Sequence, residues 1–271
     1  MQDAASAEYL ILLVDVSEAV LNAQDDAVNS SGGSIAVFGS SLTIDSYDQG
    51  FNADRVFQSS GSTIDIKSSY EGIQAQRVEL AGGIESSVSI IAADDGLNAA
   101  SDDFTDRGIL VNGGYLSVLA GGDGLDSNGW LSVNGGITTV QASTANDNSA
   151  LDSDDAIEIN GGVIGAFGSL GMVETPTSAS AQNTLVYGYS SGLAAGADFT
   201  VSDGYGTVLF AFVLANTYES AIVSVPEFAT GSTYSISTGE TKLTDFTISS
   251  VISSVGDSSR GNNPGGGHDG R

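Results

Sequence analysis

Carboxylates recur in this chain at matching places of a six-residue pattern. It reads Asp25-Asp26-Ala27-Val28-Asn29-Ser30, then Asp48-Gln49-Gly50-Phe51-Asn52-Ala53 and Tyr70-Glu71-Gly72-Ile73-Gln74-Ala75. It returns as Asp94-Asp95-Gly96-Leu97-Asn98-Ala99, Gly122-Asp123-Gly124-Leu125-Asp126-Ser127 and Asn148-Ser149-Ala150-Leu151-Asp152-Ser153. Aligned on the apolar member, one ladder holds Glu71, Asp95 and Asp123, and a second holds Asn52, Gln74, Asn98, Asp126 and Asp152. If successive copies stack as strands about 4.8 Å apart, carboxylates fall close enough to repel, to raise one another's pKa, or to share a cation. Asp94, Asn98, Asn128, Asp154 and Asp155 surround the later copies, with carbonyls expected to be freed by Gly96, Gly124 and Gly129. Such an all-oxygen set suits Ca2+, which takes six to eight oxygens, and suits Zn2+ or Cu2+ poorly. The competing reading takes each acid as a solvated turn residue, with Asn ladders steadying the chain.

Other reactive side chains are sparse. Lys67, four residues before Glu71, is either the base of a lyase or a surface charge paired with nearby acids. Arg77 and Arg107 either grip a sugar carboxylate or pair with neighbouring aspartates. Trp130 precedes an inward Leu131, so alternation turns it outward beside the acidic cluster. There it either stacks on a sugar ring or packs on a loop at Asp102–Asp106. His268 has no catalytic partner, and no Ser-His-Asp set is discernible.

The elements that must hold the acids follow from the period. The apolar members Val28, Phe51, Ile73, Leu97, Leu125 and Leu151 recur every 22 to 28 residues, the signature of a solenoid. A second block follows each acidic one: Ile109 to Val118, Leu131 to Val140 and Ile157 to Ala166, each a short alternating strand, an Asn-Gly-Gly corner and another alternating strand. Three short strands and three corners in so few residues describe one coil of a parallel β-helix. No 3.6-residue periodicity appears between residues 25 and 170. Alternation sends Leu131, Val133, Ile157 and Ile159 inward and Ser132 and Glu158 outward. The expected organisation is an N-terminal coil or cap over 1–24, the β-helix over 25–182, a β-rich sandwich or cap over 183–255, and a disordered Gly/Ser/Asn tail over 256–271. Extra loops are expected at Asp102–Asp106 and Thr144–Asn148.

Composition narrows the function. The 271 residues carry 34 acids against 7 Lys+Arg, a formal net charge of −27. That balance argues against nucleic acid and against anionic membrane surfaces, and favours cations. There is no cysteine, so neither disulfides nor thiolate metal sites contribute. No signal peptide and no stretch long enough to span a bilayer is visible.

Several segments together resemble bacterial secreted carbohydrate-binding β-helix proteins, related in fold to pectate and polygalacturonate lyases. They are Lys67-Ser68-Ser69-Tyr70-Glu71-Gly72-Ile73, Asp94 to Ala99, Gly121 to Gly129, Val133-Asn134-Gly135-Gly136, Ala150-Leu151-Asp152, and Gly168-Ser169-Leu170-Gly171-Met172 with Pro176 following. The resemblance covers roughly residues 65–250. It implies an all-β, right-handed parallel β-helix with bound calcium, and affinity for plant cell-wall polysaccharide such as polygalacturonate or cellulose without clear lyase activity. Carried onto this chain, the calcium ligands are Asp94, Asp95, Asn98, Asp123, Asp126, Asn128, Asp152 and Asp154, with Glu71, Trp130, Lys67 and Arg107 as candidate glycan contacts. It also implies a secreted or cell-surface protein. Two other functions stay open at this point: a Ca2+-dependent polysaccharide lyase, and an adhesive surface β-helix in which calcium only stiffens the coils.

Overall fold

The structure, a computed structural model, describes residues 2–83, 85–101, 106–145 and 147–257. Every regular element among the described residues is a strand, and no helix is long and apolar enough to cross a membrane. The chain winds into a parallel β-solenoid of about seven coils. The first coil comprises strands Ala5–Ala7, Leu10–Val14 and Ala19–Ala23, and the second Val28–Ser30, Ser34–Phe38 and Ser41–Ser46. The last three coils repeat the plan, ending with Leu151–Ser153, Ile157–Ile159 and Val163–Gly168. The third and fourth coils differ from three short strands. Phe51–Ser60 and Ile73–Leu80 each run through the first corner without a break. Their pairing slips by a bulge between Ala53 and Val56, so the first two sides of the solenoid merge into one sheet. A bulge bends a strand without ending its ladder.

Register follows the six-residue pattern. Val28 pairs with Phe51, Phe51 with Ile73, Ile73 with Leu97, Leu97 with Leu125 and Leu125 with Leu151, all in parallel. These side chains form one fully buried column through the core, each contributing about 1.5–3 kcal/mol by leaving water. Leu131, Val133, Ile157 and Ile159 are buried beside it, and Ser132 faces Glu158 on the outer side. The motif glycine is required by the interior: a Cβ on Gly124 would lie 2.1 Å from Val140 Cγ1 and 2.5 Å from the Ala150 carbonyl oxygen. At the Asn-Gly-Gly corners, Gly114, Gly136 and Gly162 take φ of 79°, 82° and 90°, a region L-residues avoid. Outside those corners Asn134 donates to Asn112 and Asn160 to Asn134, at 2.9 and 3.1 Å.

Beyond Gly168 the coiling ends. The strands of the third side, from Ala19–Ala23 to Val163–Gly168, form a sheet of their own, here the third sheet; Tyr218–Ser224 joins it antiparallel to Val163–Gly168, followed by Thr184–Leu193 and then Ile252–Gly256. Asp198–Asp203, Val208–Val213, Thr233–Thr238 and Thr241–Thr247 form a separate four-stranded antiparallel sheet. A second core lies between it and the solenoid end. There Phe167, from the last coil, meets Phe199 edge-on at 5.3 Å and stacks on Phe212 at 5.5 Å. The open end of the solenoid is thereby covered. The expected tail lies outside the described residues from Ser258 onward, as do Asp102 to Thr105, Asn146 and His268.

Candidate functional site

The acids lie along the corner that leads into the first strand of each coil. Backbone bonds from Ala27 to Gln49, Gly50 to Glu71, Gly72 to Asp95, Gly96 to Asp123 and Gly124 to Ser149 fix one column there: Asp26, Gln49, Glu71, Asp95, Asp123 and Ser149. A second column, on the strand itself, is Asn29, Asn52, Gln74, Asn98, Asp126 and Asp152. The sequence alignment places like with like up each column. The structure adds a diagonal contact, in which a strand residue of one coil faces the corner acid of the coil before it.

In the early coils that diagonal is amide to carboxylate. Asn52 Nδ2 donates to Asp26 Oδ2 at 3.0 Å, and Asn98 Nδ2 donates to Glu71 Oε1 at 3.2 Å. In the later coils the amide is replaced by a carboxylate. Asp126 stands against Asp95, and Asp152 against Asp123, each pair acting to raise the carboxyl's pKa. Carboxylate oxygens of Asp95, Asp123 and Asp126 come within 4.8 Å of one another, as do those of Glu71, Asp94 and Asp95.

One oxygen of each corner acid is already committed to the fold. Asp95 Oδ1 accepts the Asp123 N–H at 2.7 Å, Asp123 Oδ1 accepts the Ser149 N–H, and Asp26 Oδ1 accepts the Gln49 N–H at 3.1 Å. One of their two oxygens therefore serves the backbone, as in a turn, while the carboxyl itself is largely withdrawn from solvent. Burial is the largest influence on four carboxyls of these columns and pushes each upward: Asp95 to about 6, Glu71 to about 7, Asp123 and Asp126 to about 8. Neighbouring negative charge adds to the effect.

At this corner, among the described residues, the buried Glu71 Oε2 and Asn98 Oδ1 have no hydrogen-bond donor, on residues only 8% and 9% exposed. Gln49 approaches the same Glu71 carboxylate from the coil before. Unsatisfied buried acceptors side by side call for a positive partner. The donor set is entirely hard oxygen, so a Ca2+-like ion fits.

Several expected ligands sit differently. The carbonyls of Gly96, Gly124 and Gly129 are engaged by the ladder, accepting from Ile73, Leu97 and Asp155 N–H at 3.1, 3.1 and 3.0 Å. Ser153 Oγ also donates to Gly129 at 2.6 Å. Asp94 accepts the Tyr70 hydroxyl, and that contact raises the phenol's pKa. Asp154 is exposed and adds its charge to Asp126. Asn128 lies half-buried at the next corner, its N–H donating to the Ala99 carbonyl at 3.1 Å.

Sequence reasoning missed Glu174. Its Oε2 accepts the Ser153 N–H at 3.0 Å and its carboxyl faces Asp152, and burial first, then Asp152, pushes it to about 7. Val173-Glu174 continues Leu151-Asp152 at the repeat spacing, a signal hidden by the absence of the rest of the motif.

The other candidates lie outside the group. Lys67 is exposed on the third sheet and paired with Asp65. Arg77 forms ion pairs with Glu79 and Asp106, while Arg107 Nη1 donates to the Ser101 carbonyl at 3.1 Å. Trp130 is half-buried, pairs in register with Gly108 and donates from its indole N–H to Asp106 at 3.4 Å. A Cβ on Gly108 would lie 2.4 Å from the indole, so the ring packs flat on that strand.

Fold and corner together define a parallel β-helix with a partly buried row of carboxylates along one edge. The chain belongs to the family of carbohydrate-binding domain-containing proteins, whose model matches residues 41–212. That span includes the acidic row from Glu71 to Glu174. Neither a curated protein nor a solved structure matches the chain. The protein is therefore a carbohydrate-binding β-helix.

Proposed function

We propose that the protein is a calcium-dependent, non-catalytic module that recognises cell-wall polysaccharide, a polyuronate or a β-glucan. The observation that carries the calcium is the exchange of amide for carboxylate along one diagonal: Asn52 and Asn98 in early coils, Asp126 and Asp152 in later ones. Facing carboxylates in a partly buried row are unfavourable unless protonated or bridged by a cation. Asp95, Asp123 and Asp126 would hold one ion, with Asp152 beside them. Glu71, Asp94 and Asp95, with the Asn98 side-chain oxygen, supply the donors for another. Bound calcium neutralises the row and offers a positive point to sugar carboxylates that a chain of charge −27 otherwise repels. A secreted or cell-surface setting is part of the proposal, with Ca2+ affinity expected in the range of extracellular modules, about 10⁻⁴–10⁻³ M.

Calorimetric titration with Ca2+ and then with polygalacturonate or β-glucan, each with and without EGTA, tests this. Loss of one of the two calcium sites in Asp126→Asn, together with polygalacturonate binding lost in EGTA, is the expected result. Equal polygalacturonate binding in both conditions would remove the bridging role and leave calcium, if bound, as a brace between coils. A calcium isotherm without heat would remove the metal altogether.

A further inference from the structure

A groove opens at a different corner of the solenoid, where strands of the third sheet end. It crosses three successive coils and is lined by Ala23 and Gln24, by Asp45, Ser46 and Tyr47, and by Ser68. Ala23 pairs with Ser46 and Asp45 with Ser68, so these residues stand side by side on adjacent rungs. The pairing slips between Ile44 and Asp45, leaving Lys67 as the extra residue of a bulge at the groove's edge. Bulges re-aim side chains next to binding sites. Lys67 is drawn to Asp65, and Asp45 remains exposed in the groove.

Tyr47 is the feature that folding does not explain. Tyr47 is 73% exposed, whereas Phe51 and Phe57 of the next coil are completely buried; Tyr9 of the first coil, also exposed, is not part of the groove lining. An exposed tyrosine gains little from the core, yet it offers a flat apolar face with a polar tip. Around it stand a carboxylate, a primary amide and a hydroxyl on Asp45, Gln24 and Ser68. A pyranose ring matches this set: its C–H face covers an aromatic ring, and its rim of hydroxyls both donates and accepts. Asp45 only accepts, so it pairs with sugar hydroxyls and repels a uronate carboxylate. Three rungs span about 10 Å, the length of a disaccharide unit.

We propose that the Tyr47 groove is a binding subsite for neutral, uncharged hexose or pentose chains, with Tyr47 stacking on one sugar ring and Asp45 and Gln24 holding its hydroxyls. The subsite rests on the carbohydrate-binding reading and adds to it a place and a sugar class. Its lining groups are separate from the Glu71 to Glu174 row and from the clustered Asp25, Asp26 and Asp48 carboxylates that flank it, so binding is expected to persist in EGTA.

The test is calorimetric or NMR titration of the intact chain in EGTA with cellohexaose, xylohexaose and mannohexaose, and with an oligogalacturonate of similar length. At least one neutral chain is expected to bind and the oligogalacturonate to fail. Tyr47→Ala is expected to weaken binding about tenfold or more, Tyr47→Phe to retain it, and Asp45→Ala to weaken it. Tyr47 is a surface residue, so the melting temperature and the calcium isotherm should match the parent's. Unchanged affinity in Tyr47→Ala, or no neutral chain binding the parent, would overturn the subsite. In the second case, polygalacturonate binding restored by Ca2+ would leave the calcium-dependent function standing, and its absence as well would overturn both.

Discussion

Replacing Asp126 with Asn should stabilise the metal-free protein, which is unusual for a half-buried residue in a regular repeat. The variant restores on the later coils the amide-to-carboxylate diagonal seen in Asn98 to Glu71 and Asn52 to Asp26, with the new amide facing Asp95. It also removes a carboxyl that burial, and then Asp95, push from 3.8 to about 8. The sign follows from linkage. A carboxyl whose folded-state pKa is raised contributes its full stability below its unfolded value, and that contribution is lost as pH rises through the folded one. Between these values the loss is about 1.4 kcal/mol per pH unit, so the whole shift would amount to about 4 kcal/mol at pH 7. Asp126 is only partly shielded from solvent and titrates together with Asp95 and Asp123, so about 1–3 kcal/mol is the expected gain. Urea unfolding in EGTA should therefore give a higher midpoint for Asp126→Asn at about pH 8, a difference that largely vanishes at about pH 4. Added Ca2+ should raise the parent's midpoint more than the variant's, which keeps only the Glu71, Asp94 and Asp95 site. A variant less stable than the parent at pH 8 in EGTA, or a gain of equal size at both pH values, would refute the reasoning.

The reverse exchange, Asn98→Asp, removes the donor to Glu71 and adds a charge beside it; it should cost the metal-free protein about 1–3 kcal/mol at neutral pH, read by chemical denaturation, with part of the loss recovered in Ca2+. Gly124→Ala drives a methyl into Val140 and the Ala150 carbonyl and should cost about 1–3 kcal/mol, seen as a lower melting temperature at any calcium concentration. Phe167→Ala removes the ring that joins the last coil to Phe199 and Phe212. It should cost about 3–5 kcal/mol and expose the aromatic core to a hydrophobic dye, while Ca2+ binding at Asp95, Asp123 and Asp126 persists.

The architecture was legible because each coil repeats the same local instructions. An apolar residue every 22 to 28 positions, alternation on either side, and glycine at the corners determine which side chains face inward, and Val28, Phe51, Ile73, Leu97, Leu125 and Leu151 stack in register accordingly. Burial of an apolar side chain depends on the pattern of its own strand, which a sequence contains. The same alignment gathered Asp95, Asp123 and Asp126 into one group. What it could not contain is the partner of each charge. Whether Asp126 faces Asp95 or Asp123, whether the Gly96 and Gly124 carbonyls are free or in the ladder, and whether Lys67 reaches the acids or bulges toward Asp65 depend on how one coil sits on the next. Glu174 joins the row from a segment outside the repeat, and Tyr218–Ser224 closes the third sheet from a segment more than fifty residues beyond it in the chain. Polar pairing acts over a few ångströms between residues distant in sequence, so the tertiary structure alone decided which carboxylates face one another and which accept a hydrogen bond from an amide.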